Sequence, residues 1–178
     1  DVILFEKNST LGGLLNDINK LPFKEDLLNY TNWLINTTMK CGADIRLNTE
    51  ATVENVMAEN PDVIVVASGS SPARPPIPGI DNPKVVNVLD VDSGRKKLSG
   101  KVLVCGGGVS GCESGLALAM EGCEVTIVDM IPVSEFASDV MDLTRKNLFH
   151  LLKEYKVKLV GERLVRSIDD QGVVVEGK

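Results

Sequence analysis

Lys101–Met130 reads KVLVCGGGVSGCESGLALAMEGCEVTIVDM, and this stretch decides the fold. Lys101–Cys105 is a short apolar run of the kind that makes a buried strand. Gly106, Gly108 and Gly111 follow at the spacing G-x-G-x-x-G. A helix is predicted from Val109 to Glu121, with Leu116, Ala117 and Met120 on its inner face and Gly122 as its stop. Residues 123–129 form the next predicted strand, and Asp129 at its end lies 18 positions (129 − 111) beyond the last glycine.

Alone, three spaced glycines are a weak signal. With a strand before, a helix after and an acid at this distance they make a dinucleotide-binding fingerprint. The first glycine permits the tight turn, the second lets backbone approach a pyrophosphate, and the third lets helix and strand pack closely. The phosphates then meet free N–H groups at the positive end of the helix dipole. Gly107, Val109 and Ser110 complete that loop, and Asp129 is placed to accept hydrogen bonds from an adenosine ribose, with Met130 beside it. A 2′-phosphate there would meet a like charge, and Met130, Ile131 and Pro132 include no arginine. NADH is therefore favoured over NADPH. Two plainer readings stand beside this one: a tight turn with no ligand, and the related glycine loop of a methyltransferase.

The opening residues, DVILFEK, repeat the pattern. Aligned on their acids, Asp1–Lys7 matches Glu124–Met130 at an offset of 123 (124 − 1). The chain is thus expected to hold two related units, α/β in class and Rossmann-like, with the first truncated at its N-terminus. Its first strand and glycine loop would lie upstream of Asp1, making the chain a piece of a longer protein. The expected domains are 1–80, a partial nucleotide-binding domain, and 81–178, a second one with its loop intact. In the first, Glu6 would hold a ribose, with Lys7 next to it, and Gly12 and Gly13 would give close backbone approach to a phosphate or ribityl chain.

Between these motifs, residues 23–42 read as an amphipathic helix ending at Gly42, 44–48 as a short strand, and 49–60 as a strand end and a helical turn. The apolar run in DVIVVASG, 62–69, predicts a strand buried on both faces. Residues 70–84 carry five of the eight prolines and read as the connection between domains. After it come a short strand and a helical turn, and later a helix over 139–155, a strand in VKLVG, and two strands joined as a hairpin around DDQG.

A formal net charge of −6 argues against nucleic acid or an anionic membrane as the main partner. No run reaches the ~20 apolar residues of a membrane helix, and no basic segment followed by an apolar core marks a leader. Cys41, Cys105, Cys112 and Cys123 are scattered with no CxxC, which removes a short-spaced dithiol and a zinc ribbon. All four are expected to be packing thiols in a reducing, cytoplasmic setting; Cys112 follows the glycine loop and could lie near a cofactor. His150 has no partner motif and receives no role. No metal site and no catalytic side chain is expected.

Taken in order, the acid-ended strand, LGG, ASGSSPARPPIPG, GGGVSGCE and VTIVD resemble the two-dinucleotide-binding-domain flavoproteins. More narrowly, they resemble the C-terminal half of NADH:flavin oxidoreductases related to 2-enoate reductase, 2,4-dienoyl-CoA reductase and trimethylamine dehydrogenase. The segment VVASGSSP is similar to the A-T-G-x-x-P turn that closes a flavin domain, with Ser68 in place of threonine. The resemblance implies that Glu6, Gly12, Gly13, Ala67, Ser68 and Gly69 contact FAD, while Gly106, Gly108, Gly111 and Asp129 bind NADH. It implies that Glu113 faces the nicotinamide; the plain reading is a carboxylate favoured near a helix start. Arg74 either reaches a phosphate or is solvated. An N-terminal flavin barrel with FMN and a 4Fe-4S cluster is the implied partner, and hydride passes from NADH to FAD. The alternatives are a unit that holds ADP with no hydride transfer, and a disulfide reductase whose dithiol lies outside these residues. An open sheet edge also predicts pairing with a second copy as a homo-oligomer.

Overall fold

Parallel β-ladders are the framework that the acid-ended strands require, and both are present. The computed structural model describes residues 1–177. The chain divides into one unit over Asp1–Ser71 and another from Pro72 onward.

In the first unit β1 (Ile3–Phe5) lies parallel to β2 (Asp44–Arg46), with Ile3 opposite Asp44. The connection runs through α1 (Leu15–Ile18) and α2 (Glu25–Thr38), and α3 (Val53–Met57) follows. The predicted period of α2 turns Thr31 inward, where it is buried and its hydroxyl donates to the Leu27 carbonyl at 2.7 Å. Tyr30 and Trp33 stack on the outside, ring centres 5.8 Å apart. A reciprocal cap at Thr52 and Asn55 starts α3. Arg46 bridges Asp44 at 2.8 Å and Glu59 at 2.7 Å and lies over the Phe5 ring.

The buried strand expected at 62–69 does not form. Those residues join no ladder, and Val63, Ile64, Val65 and Val66 are 51–84% exposed. A strand is stable only where its backbone groups find a neighbouring strand, and an apolar run by itself does not supply one.

In the second unit β3 (Lys101–Cys105), β4 (Glu124–Val128) and β5 (Lys158–Val160) form a parallel sheet in the order β3-β4-β5. α5 (Val109–Met120) connects the first two strands and α6 (Asp142–Glu154) precedes the third. The core gathers Cys112, Leu116 and Leu118 from α5, Val125 and Ile127 from β4, Leu148 and Leu152 from α6, and Phe136 from the loop. Each fully buried aliphatic or aromatic side chain contributes roughly 1.5–3 kcal/mol. Gly115 lets α5 sit close to the sheet, since a Cβ there would stand 2.8 Å from Ile127 Cδ1. Met120, expected inside, is 39% exposed in the last turn.

The short strand expected after residue 84 is absent; the helical turn expected beyond it forms as α4 (Val88–Asp92), capped by the Asn87 side chain, which accepts the Leu89 N–H. The hairpin is present, with β6 (Arg163–Asp169) antiparallel to β7 (Gly172–Gly177). The proline-rich stretch is fastened to it: Ile168 N–H donates to the Pro78 carbonyl at 2.9 Å and Lys84 Nζ to the Asp170 carbonyl at 2.6 Å. Among the described residues no helix is long and apolar enough to cross a membrane, and no cluster of histidine, cysteine and carboxylate side chains is arranged to hold a metal.

Candidate functional site

The glycine loop leaves the end of β3 and enters α5. Gly106 turns the chain at φ +130, a conformation glycine adopts without strain. Gly108 is the N-cap, and a Cβ on it would meet nothing within 4 Å. A Cβ on Gly111 would stand 2.1 Å from the Gly106 carbonyl oxygen. The open position and the crowded position are thus the second and third glycines of the motif, as their separate jobs require. The first bond down the helix runs from Cys112 N–H to the Gly108 carbonyl at 3.0 Å. The first-turn N–H groups of Val109, Ser110 and Gly111 therefore have no carbonyl within the helix to meet, and no side chain caps them.

Asp129 closes the site from the end of β4. One of its oxygens accepts the Gly107 N–H at 2.6 Å and the other accepts the Ile131 N–H at 3.2 Å. The acid and the glycine loop, 22 residues apart in sequence, are thus tied together. A carboxylate has about four lone-pair directions, so acceptor capacity remains beyond these two bonds. The motif treats Gly107 as an unspecified position, yet it is buried and a Cβ there would lie 2.7 Å from the Phe136 ring. The run of three glycines in the sequence is the signal that marks it. Cys112 lies beneath the loop with Sγ 3.5 Å from the Gly107 carbonyl. Burial, reinforced by the Asp139 and Glu113 carboxylates, pushes its thiol up to about 11. It is a packed thiol at neutral pH and no nucleophile. Cys123 is buried too, whereas Cys41 and Cys105, also expected inside, are exposed, the first in the turn after α2 and the second at the strand's end. Glu113 lies half-buried in the second turn of α5, and Met130 is 49% exposed next to Asp129.

The first unit repeats the acidic half of this arrangement. Glu6 N–H donates to the Arg46 carbonyl at 3.0 Å, as Asp129 N–H does to Val160 at 3.1 Å. Thr49 N–H donates to the Glu6 carbonyl and Arg163 N–H to the Asp129 carbonyl, both at 2.9 Å. Asn48 N–H meets the Asn8 carbonyl as Glu162 N–H meets that of Ile131, at 2.9 and 3.0 Å. Asn48 and Glu162 have left-handed backbones at φ 53 and 56. Even the side-chain bond is copied: Asn8 N–H donates to a Glu6 carboxylate oxygen at 2.7 Å. The offset of 123 found in the sequence thus holds for Glu6 and Asn8, while their partners Arg46, Asn48 and Thr49 correspond to Val160, Glu162 and Arg163 at an offset of 114 (160 − 46). Lys7 is exposed; Gly12 and Gly13, at φ 111 and 49, make the turn into α1. Ala67, Ser68 and Gly69 lie in the exposed irregular segment, where Gly69 takes φ 73. Arg74 is engaged by Asp81 and by the Ile80 carbonyl.

Residues 27–178 match the pyridine nucleotide-disulphide oxidoreductase family. The chain is 36% identical to bilirubin reductase of Mediterraneibacter gnavus over 99% of its length, and 32% identical to NADH oxidase of Thermoanaerobacter brockii over 99%. It spans only about a quarter of these relatives, 27% and 28%. Among solved structures, a 2-naphthoyl-CoA reductase complex superposes with TM-score 0.87 at 32% identity, over 99% of this chain and 26% of that one. The fold, the intact glycine loop with its acid, and these relatives agree: the chain belongs to the pyridine nucleotide-disulphide oxidoreductase family.

Proposed function

We propose that the second unit binds NADH and that the chain is the electron-entry module of a flavin oxidoreductase. The observation that carries this reading is the bond from Gly107 N–H to Asp129, which fixes the phosphate loop and the ribose acid in one preformed cradle. Gly106, Gly108 and Gly111 with the first-turn N–H groups of Val109 and Ser110 take the pyrophosphate, Asp129 and Met130 take the adenosine ribose, and Glu113 faces the nicotinamide end. Glu6, Lys7, Gly12, Gly13 and Ala67–Gly69 are the residues that would hold FAD in the first unit. When both are bound, the nicotinamide supplies hydride to the flavin, for onward transfer to a flavin and iron–sulfur partner domain. The protein's part is binding and orientation. The bilirubin, cinnamate and 2-naphthoyl-CoA reductases among the relatives support a reductase as the whole protein.

The test is calorimetric titration with NADH of the parent chain and of Asp129→Asn. Charge-assisted hydrogen bonds contribute about 1.5–3 kcal/mol, so the variant should bind roughly ten- to a hundredfold more weakly. Equal affinity would remove Asp129 from the site. In the flavin-loaded protein NADH should bleach the flavin absorbance; an unchanged spectrum would leave nucleotide binding without electron transfer.

A further inference from the structure

We propose that the Arg166–Glu176 ion pair on the hairpin sets nucleotide selectivity, by neutralising a cation that would otherwise serve a 2′-phosphate. This rests on the reading of the neighbouring cradle as one for an adenine dinucleotide. The start of β6 is stitched to the ribose acid itself, through Arg163 N–H on the Asp129 carbonyl at 2.9 Å and Glu162 N–H on that of Ile131 at 3.0 Å. Beside this seam lies a depression of about 280 Å³ lined by Met130, Leu164, Arg166, Glu176 and Gly177. Met130 directly follows Asp129, so the depression adjoins the ribose end of the cradle.

Arg166 reaches this place by a local irregularity. Val165 pairs with Val175 and Ser167 with Val174, which makes Arg166 the extra residue of a β-bulge. Bulges re-aim side chains and are frequent beside functional sites. Glu176 stands opposite Leu164 and takes the Arg166 Nε in an ion pair. Both side chains are more than half exposed, so the pair is weak enough to be exchanged for another partner. An arginine near the ribose is what accommodates a 2′-phosphate in this fold. Here a 2′-phosphate would face two carboxylates, Asp129 and Glu176, while the Arg166 guanidinium is engaged by Glu176 and that of Arg163, beside Gly177, by the Glu162 carbonyl. The sequence next to Asp129 holds no arginine; the fold brings one in from 37 residues further on (166 − 129).

The experiment measures the ratio Kd(NADPH)/Kd(NADH) by titration of the full chain, at low salt where exposed charges are least screened. Glu176→Gln should lower the ratio roughly fivefold, the scale of an exposed pair. Arg166→Ala should raise it, and the double variant should lose the gain. A ratio unmoved by Glu176→Gln, or a gain that persists without Arg166, overturns the proposal, and circular dichroism of each variant separates this from loss of the hairpin. If the parent chain binds neither nucleotide, the reading of the cradle fails and this inference with it; if it binds NADH well and the ratio stays fixed, only the inference fails.

Discussion

Alanine at two glycines of the same loop should do opposite things. At Gly111 the new Cβ would stand 2.1 Å from the Gly106 carbonyl oxygen. That neighbour is backbone, and Gly106 is already committed to a positive φ by the turn, so the clash cannot be relieved by a rotamer change. Overpacking of this kind costs about 1–3 kcal/mol. At about 4 °C per kcal/mol for a unit near 100 residues, the melting temperature should fall roughly 4–12 °C. At Gly108 the Cβ would meet nothing within 4 Å, and φ −66 with ψ 175 suits any residue. Glycine ranks above alanine at an N-cap by about 0.5–1 kcal/mol, so the melting temperature should fall by only about 2–4 °C. The methyl does occupy the space through which a pyrophosphate approaches, so NADH affinity should fall at least tenfold, or about 1.4 kcal/mol. Differential scanning calorimetry and nucleotide titration of both variants give the two readouts. If Gly108→Ala binds NADH like the parent, the phosphates do not rest against that backbone, and the assignment of the loop is wrong.

The remaining predictions concern strain and titration. Glu162 holds φ 56, a left-handed conformation that costs a non-glycine residue roughly 1–2 kcal/mol; Glu162→Gly should raise the denaturation midpoint, and an unchanged or lower midpoint would mean the side chain contributes something the backbone does not. Cys112 has its thiol raised from an ordinary 9.0 to about 11 by burial. Because the folded value lies above the unfolded one, its contribution to stability is complete below about pH 9 and is lost as pH rises through about 11; urea melts across that range should show the decline, and Cys112→Ser or →Ala should lessen it. At pH 8 a maleimide should label Cys41, then Cys105 more slowly because partial burial raises its thiol, and neither buried thiol; rapid labelling of Cys112 would contradict its burial.

The second unit was largely legible in the sequence because its signals are local. A short apolar run, three glycines, a helical period and an acid at a set distance each reflect a constraint within a few residues, and the structure holds all of them. The failures are non-local. The run 63–66 is as apolar as any strand, but nothing in it states whether a partner lies alongside. The helical period names the face on which Met120 lies, but not how far along the helix the sheet extends. Arg166 beside Met130 could not be read at all, since it depends on a hairpin returning to the acid's own backbone and on one inserted residue.

The repeat shows the same division. Only the apolar run and the terminal acid betray it in the sequence, because the bonds that define it join backbone groups and tolerate almost any side chain. Thr49 corresponds to Arg163, Asn48 to Glu162 and Asn8 to Ile131, with no identity among them, yet each pair makes the same contact. Glu6 bonds to the N–H two residues on, and Asp129 does so too, but Asp129 also holds the Gly107 N–H of the phosphate loop. That extra bond orients the carboxylate before any ligand arrives and leaves lone pairs for the ribose hydroxyls that the proposed function assigns to it. Binding at a preset group avoids the ordering term that would otherwise be subtracted from affinity. In the second unit that preorganisation rests on a single backbone N–H, which the glycine at 107 makes available by letting the Phe136 ring close over the loop.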